Sequence, residues 1–332
     1  MSSFASSSQR RYWFFSEPSL LELRSSLNQT VPLRLDSSNV PIPKLTVEEE
    51  QFLRYHFEAQ LVKLLSEKNF SLSVIATALT FFKRVFIRVS IMDRHPHDLI
   101  PAIVFIALKV EELKMSASQC ANFLQFNHNL ILEHEFDVLS FLDYQLFIHH
   151  PLRPLMGIIA ELVEFGLVEE SCRNDVYSQC EKVLVNFFYG DAFFLFSPAQ
   201  MAISCVSCVL GNDVVNNYIE QRYRGIPDQD SSFQIIERCS QELRKTASIL
   251  GQLNSEFVDF LMRKLSKCRN PLYDSSTEMY KHAQMARIQA EKDLEEKKIN
   301  EVRSRVKREY ENVVGSSYAA TPIDVIGFDD SP

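Results

Sequence analysis

The segment from residue 98 to residue 112 constrains the fold more than any other part of the sequence, because it has the pattern of a helix that is apolar all round. It reads DLIPAIVFIALKVEE, and residues 100–108 contain no charged or hydrogen-bonding side chain. A helix of this kind must be covered on all sides by other helices. We therefore predict that it lies at the centre of a helical bundle.

Helix-start signals recur along the chain and mark two similar groups of helices. Thr46 followed three residues later by Glu49 forms a capping box, and Ser197 followed by Pro198 is a second strong helix start. The helix SPAQMAISCVSCVL at 197–210 repeats the apolar pattern of the segment at 98–112. We therefore predict an all-α fold of two tandem helical repeats, with a helical extension at each end of the chain.

Proline-rich segments divide the chain into five predicted parts. RLDSSNVPIPKL at 34–45 and HHPLRP at 149–154 interrupt the helical patterns, because proline cannot continue a helix. The parts are a leader with a short helix and a linker at 1–45, a first repeat at 46–150, a second repeat at 151–270, a charged helix at 271–314 and a disordered tail at 315–332.

The charged helix has a narrow apolar seam, through which we expect it to dock while the rest of its surface stays in solvent. The residues of the seam are Ile299, Val302, Val306, Tyr310 and Val313.

Charge and cysteine content limit the partners and the compartment. Lys and Arg total 35 against 43 for Asp and Glu, and a net charge of -8 provides no basic footprint for nucleic acid or an anionic membrane. Seven cysteines, an odd number, argue for reduced thiols and hence for the cytosol or nucleus. No stretch reaches the roughly 18 apolar residues that span a bilayer. We predict no direct nucleic-acid partner and no membrane partner.

The residue types that carry catalysis are not arranged for it in this sequence. Gly157 is the first glycine, so the first half of the chain holds no glycine loop for phosphate, and no nucleophile elbow is present. Cys205 and Cys208 lack the second pair that structural zinc needs, and core packing is the prediction for them. The histidines beside Pro96 and Pro151 are interpreted as turn residues. The sequence thus predicts no catalytic residue, no metal site and no cofactor.

Two charged residues stand in apolar surroundings and need an explanation. Lys109 follows the apolar segment, and Glu135 has aliphatic residues at its helical neighbour positions. Burying an unpaired charge is costly, so each charge must have a partner. In one interpretation the charges belong to internal ion pairs, and Lys109 is also favoured at the negative end of its helix. Alternatively, both are presented on an apolar surface for the backbone of another protein's helix.

Several motifs resemble those of the cyclin family. FFKRVF at 81–86, FIALKVEE at 105–112 and ILEHEFDVLSFLDYQL at 131–146 resemble the first cyclin box. HHPLRPLMG at 149–157 and GDAFFLFSPAQMAI at 190–203 resemble the junction and second box of the transcriptional cyclins. The leader SSQRRYWFF at 7–15 and the long charged helix are similar to the cyclin H group. The resemblance implies two tandem cyclin boxes with N- and C-terminal helical extensions.

The resemblance implies a regulatory subunit of a cyclin-dependent kinase rather than an enzyme. Lys109 and Glu135 match the lysine and glutamate through which cyclins hold the kinase's αC helix and the adjoining backbone. Pressing on the αC helix favours the pairing of its glutamate with the kinase's ATP-site lysine and helps to order the activation loop. The matching apolar interface positions are Val110, Phe136, Leu139 and Leu146.

The cyclin H group belongs to the CDK-activating kinase and to general transcription factor H. The resemblance therefore implies a location in the nucleus and also in the cytoplasm. It further implies a RING-finger assembly factor as the third partner of the complex. It also implies that the complex phosphorylates other kinases and the RNA polymerase II C-terminal domain. One alternative is a cyclin C-like subunit of the mediator kinase module. Another is a promoter-DNA-binding initiation factor with a cyclin fold, which needs a basic face that the acidic balance does not favour.

The helix at 53–61 departs from the family pattern. Mitotic cyclins carry a methionine, arginine, leucine and tryptophan docking patch on this helix, whereas the chain reads LRYHFEAQL. Only Arg54 matches, and Gln60 takes the tryptophan position. We therefore expect no docking of short substrate motifs on this helix.

Overall fold

The structure, a computed structural model, describes residues 4–35, 39, 41–222, 229–251, 254–274 and 277–314. The chain divides into two compact units, of which the first ends at Asn270 and the second begins at Pro271. The tail predicted at 315–332 lies outside the described residues.

The first unit consists of two successive groups of helices, preceded by the leader. The leader contains α1 (Ser8–Tyr12) and α2 (Glu17–Thr30), followed by a two-stranded antiparallel ladder of β1 (Arg34–Leu35) and β2 (Pro41–Ile42) in which Arg34 lies opposite Ile42. The first group comprises α3 (Val47–Glu67), α4 (Leu72–Val85), α5 (Pro96–Val110), α6 (Ala117–Leu124) and α7 (His128–Phe141). The second comprises α8 (Leu152–Glu164), α9 (Arg173–Phe187), α10 (Ala192–Leu195), α11 (Pro198–Leu210), α12 (Asn212–Arg222), α13 (Gln229–Gly251) and α14 (Ser255–Cys268). The predicted all-α fold with two tandem repeats is confirmed.

Each repeat surrounds one apolar helix. In the first repeat α5 packs against α4, α6 and α7, and its residues 99–108 are all buried. In the second repeat α11 packs against α8, α9, α12 and α13. His95 caps the start of α5, since its Nδ1 accepts a hydrogen bond from the amide of His97 at 3.2 Å. The central position predicted for the apolar segment is confirmed, and these two histidines begin a helix.

The end of α7 differs from the sequence pattern, which predicts a helix to residue 146. The helix ends at Phe141, because Asp143 and Tyr144 adopt left-handed backbone conformations with φ of 51° and 55°. The amide of Tyr144 donates to the carbonyl of Leu139 at 3.0 Å and closes the helix end. We name residues 142–150 the inter-box linker. Leu146 therefore lies on this linker and not on a helix.

The second unit contains a helix of 37 residues, α15 (Glu278–Val314). Four residues of its predicted seam, Ile299, Val302, Val306 and Tyr310, are exposed. Docking through the seam stays a prediction. Of the helices in the described ranges, none has the length and apolar character needed to cross a membrane.

Candidate functional site

Lys109 and Glu135 form an ion pair with each other at the surface of the first repeat. Lys109 lies in the last turn of α5 and Glu135 in α7, and Nζ of Lys109 is 2.6 Å from Oε1 of Glu135. The two side chains are 49% and 23% exposed. An exposed ion pair contributes only about 0–1 kcal/mol to folding. The charges are thus paired with each other, but at the surface rather than in the interior, and another molecule can reach them.

Apolar side chains flank this pair. Leu132, Phe136 and Leu139 follow the i, i+4, i+7 spacing that places residues on one face of α7. Leu132 and Phe136 are 53% and 71% exposed, which is unusual for large apolar side chains on one helix face. Leu139 is half-buried, as are Val110 and Leu146, and all three pack against the core. We name the six predicted residues the α5–α7 surface: Lys109, Val110, Glu135, Phe136, Leu139 and Leu146.

Two exposed aromatic residues of the inter-box linker are missed by the sequence prediction. Tyr144 and Phe147 are 64% and 61% exposed, and Leu146 lies between them in the sequence. The helix predicted to residue 146 hides them, because its periodicity gives no sign of where the backbone turns. The one sign of these exposed side chains in the sequence is the series of aromatic residues at 141, 144 and 147, which follows the apolar positions of α7.

The carboxylate of Glu111 connects the end of α5 to α4 and to the linker. Thr77 donates from Oγ1 to Oε1 of Glu111 at 2.6 Å. Nε2 of His150 lies 3.3 Å from the same carboxylate oxygen and 2.9 Å from the Thr77 hydroxyl. The hydrogen bond from His150 is the main cause that lowers the pKa of Glu111 to about 2, against the opposing effect of burial. His150, predicted as a turn residue, therefore fixes the end of α5 beside Lys109.

A cavity of about 960 Å³ opens between the two repeats next to Val110. Its walls include Phe147 and His149 of the linker and Arg153 and Pro198 of the second repeat. The concave region next to the α5–α7 surface is therefore large enough to receive several side chains of a partner.

The CVSC pair is only partly a core feature. Cys205 is buried, but Cys208 is exposed, so the prediction of core packing is wrong for Cys208. Burial raises the pKa of the Cys205 thiol well above its ordinary value and keeps the thiol protonated. Within the ranges that the structure describes, no group of three or more His, Cys, Asp or Glu residues could hold a metal ion.

Helix α14 of the second repeat packs against the start of α3, the helix on which mitotic cyclins carry their docking patch. The ring of Phe257 in α14 lies 4.9 Å from that of Phe52 in α3, measured between centroids. Nζ of Lys264 in α14 is 2.6 Å from Oε2 of Glu49. Arg54, the position that matches the patch, is buried and donates to a backbone carbonyl at 3.1 Å. Its guanidinium is therefore engaged inside the protein.

Comparisons with known proteins agree with this architecture. The family model for the cyclin N-terminal domain matches residues 36–147, and the model for the cyclin C-terminal domain matches residues 150–273. Cyclin-H1-1 of Arabidopsis thaliana is 27% identical over 309 residues, which cover 81% of this chain and 89% of that protein.

Two solved structures are also similar to the chain. A chain of the CAK complex from Chaetomium thermophilum matches with a TM-score of 0.75 at 25% identity, over 86% of this chain and 94% of that one. A chain of the yeast TFIIK (Kin28/Ccl1/Tfb3) complex matches with a TM-score of 0.63 at 24% identity, over 72% of this chain and 100% of that one, which shows the fold alone. Because the two family models together cover most of the sequence, the chain belongs to the cyclin family, as a transcriptional cyclin of the cyclin H type.

Proposed function

We propose that this cyclin binds a cyclin-dependent kinase and activates it as the regulatory subunit of a CDK-activating kinase complex. The observation that carries the proposal is the α5–α7 surface, where the exposed ring of Phe136 lies on the same helix as one partner of an accessible Lys109–Glu135 ion pair. The likeness to a chain of a CAK complex supports the same function. In this function the chain is not itself the enzyme.

The ion pair supplies hydrogen-bonding groups that a kinase helix can take over. Lys109 can donate to backbone carbonyls, and Glu135 can accept from backbone amides. When the kinase binds, the two side chains give up their weak ion pair in solvent and form charge-assisted hydrogen bonds in an interface from which water is largely excluded. Phe136 and the neighbouring apolar side chains supply the buried area that drives association.

The mechanism is activation by positioning. A kinase αC helix held on the α5–α7 surface carries its glutamate to the ATP-site lysine, which is the pairing that an active kinase requires. The same contact helps to order the kinase's activation loop. The cyclin therefore raises the rate of phosphoryl transfer through the conformation of its partner.

The proposed complex has further members. The yeast TFIIK complex contains Kin28, Ccl1 and Tfb3. By analogy, this cyclin assembles with its kinase and a RING-finger factor within general transcription factor H, and the complex phosphorylates other kinases and the RNA polymerase II C-terminal domain. A nuclear location follows from this proposal.

Replacing both charges tests the assignment. Lys109→Ala combined with Glu135→Ala should lower the affinity for the kinase by about 10- to 100-fold, since a hydrogen bond to a charged group contributes about 1.5–3 kcal/mol. The fold should persist, because the pair is exposed. Circular dichroism measures the fold, and activity is measured with the kinase that co-purifies with the chain, over a series of cyclin concentrations.

A matched control is available on α3. Lys63 and Glu67 form an exposed ion pair with an N–O distance of 3.9 Å, and their double alanine variant should activate the kinase as the wild type does. Full activation by the folded Lys109→Ala, Glu135→Ala variant would refute the role of the α5–α7 surface.

A further inference from the structure

The leader is fastened to the rest of the protein by a buried tryptophan. Trp13 is 1% exposed and belongs to a small apolar cluster with Leu20, Ile87 and Phe194, which come from the leader and from both repeats. Its Nε1–H donates a hydrogen bond to Oε1 of Gln145 at 2.9 Å. A side chain of the leader is therefore hydrogen-bonded directly to the inter-box linker.

Two further side chains, those of Arg84 and Gln9, also hold the inter-box linker in place. The guanidinium carbon of Arg84 in α4 lies 4.8 Å from the centroid of the Trp13 ring, and Nη1 of Arg84 donates to the carbonyl of Gln145 at 2.9 Å. Gln9 in α1 accepts a hydrogen bond from the amide of His149 at 2.7 Å. The backbone of the linker is thus fixed at residues 145 and 149.

Next to these anchors the backbone is in a conformation that tyrosine disfavours. Asp143 and Tyr144 have φ of 51° and 55°, in the left-handed region that a bulky side chain such as tyrosine rarely occupies. Such a conformation persists only where the surroundings determine it. Tyr144 and Phe147 are mostly exposed, and Leu146 of the α5–α7 surface lies between them in the sequence.

We propose that Trp13 is a positioning residue for kinase binding, and that the surface it positions includes Tyr144 and Phe147. Through Gln145, Trp13 holds the linker so that the two aromatic rings extend the α5–α7 surface and contact the kinase. Large aromatic side chains of this kind are typical anchors of protein interfaces. The inference rests on the function proposed above.

Three variants test this role with the full chain and the co-purifying kinase. Trp13→Phe keeps an aromatic ring beside Arg84 but removes the donor to Gln145, and Gln145→Ala removes the acceptor. Each should raise the cyclin concentration for half-maximal kinase activity by about tenfold, with the maximal activity unchanged. The double variant should be no worse than either single one, because the two changes remove the same contact.

Tyr144→Asn separates binding from folding. Asparagine tolerates the left-handed conformation better than tyrosine does, so the melting temperature should stay the same or rise. The half-activating concentration should nevertheless rise, because the ring is lost. A residue with a purely structural role would not weaken kinase activation while the stability of the fold stays the same or improves.

The control for a structural effect is Tyr218→Phe, which removes a hydrogen bond of 2.6 Å between another buried aromatic residue and Glu161 in the second repeat. It should lower the melting temperature without changing the half-activating concentration. If Trp13→Phe and Gln145→Ala behave like this control, the positioning role is overturned.

The Lys109→Ala, Glu135→Ala variant distinguishes the two proposals. If it fails to activate the kinase while all the leader and linker variants match the wild type, only the present inference fails. If the wild-type chain itself neither binds nor activates the kinase, the proposed function fails and the inference with it.

Discussion

The carboxylate of Glu111 accepts hydrogen bonds from two residues that are far from each other in the sequence, Thr77 in α4 and His150 at the end of the linker. It stands two residues after Lys109 and caps α5. The position of the Lys109 ammonium group on the α5–α7 surface therefore depends on the hydrogen bonds that Glu111 makes just after the end of α5. Single residues outside the interface thus set the geometry of those within it.

We predict that Glu111 makes stability depend on acid pH. A carboxylate whose pKa is lowered by folding stabilises the folded state above its ordinary pKa near 4.5, and this stabilisation is lost as pH falls toward about 2. The free energy of unfolding, measured with urea at several pH values, should therefore fall more steeply over this range in the wild type than in Glu111→Gln. The variant His150→Ala, which removes the main cause of the shift, should also flatten the curve. Parallel curves for the wild type and Glu111→Gln, with the exposed Glu112→Gln as control, would contradict this role.

At the scale of elements, the starts of helices could be predicted from sequence more securely than their ends. The capping boxes at Thr46 and Ser197 are present in the structure, because a cap is a local interaction that a few residues encode. The end of α7 could not be predicted, since its apolar pattern continues past Phe141 and no glycine marks the left-handed residues Asp143 and Tyr144. Leu146 consequently lies on a linker.

The same distinction holds for the candidate site. Lys109 and Glu135 can be found in the sequence because a charge among apolar residues stands out locally. Tyr144 could not be recognised as an exposed aromatic residue, because its exposure depends on long-range contacts. The hydrogen bond that anchors its neighbour Gln145 to Trp13 joins residues 132 positions apart.

We predict that Gly190, in the turn between α9 and α10, tolerates no side chain. Its φ is +66°, and an added Cβ would lie 2.7 Å from Oγ1 of Thr246. Gly190→Ala should therefore lower the free energy of unfolding by about 2 kcal/mol or more, from the left-handed backbone and the clash together. Gly157→Ala is the control, because a Cβ there meets nothing within 4 Å and alanine favours the helix by about 1 kcal/mol. Thermal unfolding of the two variants should shift in opposite directions, and equal shifts would contradict the prediction.

At the scale of the whole first unit, the two repeats share one apolar core, and a buried ion pair of the first repeat is hydrogen-bonded to the second. Nζ of Lys83 lies 2.8 Å from Oε2 of Glu58, both in the first repeat, and it donates to the carbonyl of Phe188 in the second repeat at 2.7 Å. The amide of Gly190 donates to the same carboxylate at 2.9 Å. These contacts join the two repeats and help to fix their orientation, on which the cavity next to the α5–α7 surface depends, since its walls come from both repeats.

We predict that the two repeats unfold together and depend on this pair. Lys83→Met leaves the Glu58 carboxylate buried without its cation and should cost about 3–5 kcal/mol. Fluorescence of Trp13, the single tryptophan, and circular dichroism of the helices should report coincident transitions in the wild type and the variant. Adding Glu58→Gln to Lys83→Met should recover part of the loss. Two separate transitions in the wild type would show that the repeats are independent.

The sequence of α3 and its contact with α14 have a consequence for the choice of phosphorylation targets. Helix α14 packs against α3 just before the segment on which other cyclins recruit target sequences, and within that segment Arg54 is buried and Gln60 stands at the tryptophan position. In the complex proposed above, we therefore expect target selection to take place at the kinase's catalytic cleft or on a third subunit. Switching the kinase on and deciding what it modifies become separate tasks, and this subunit performs the first.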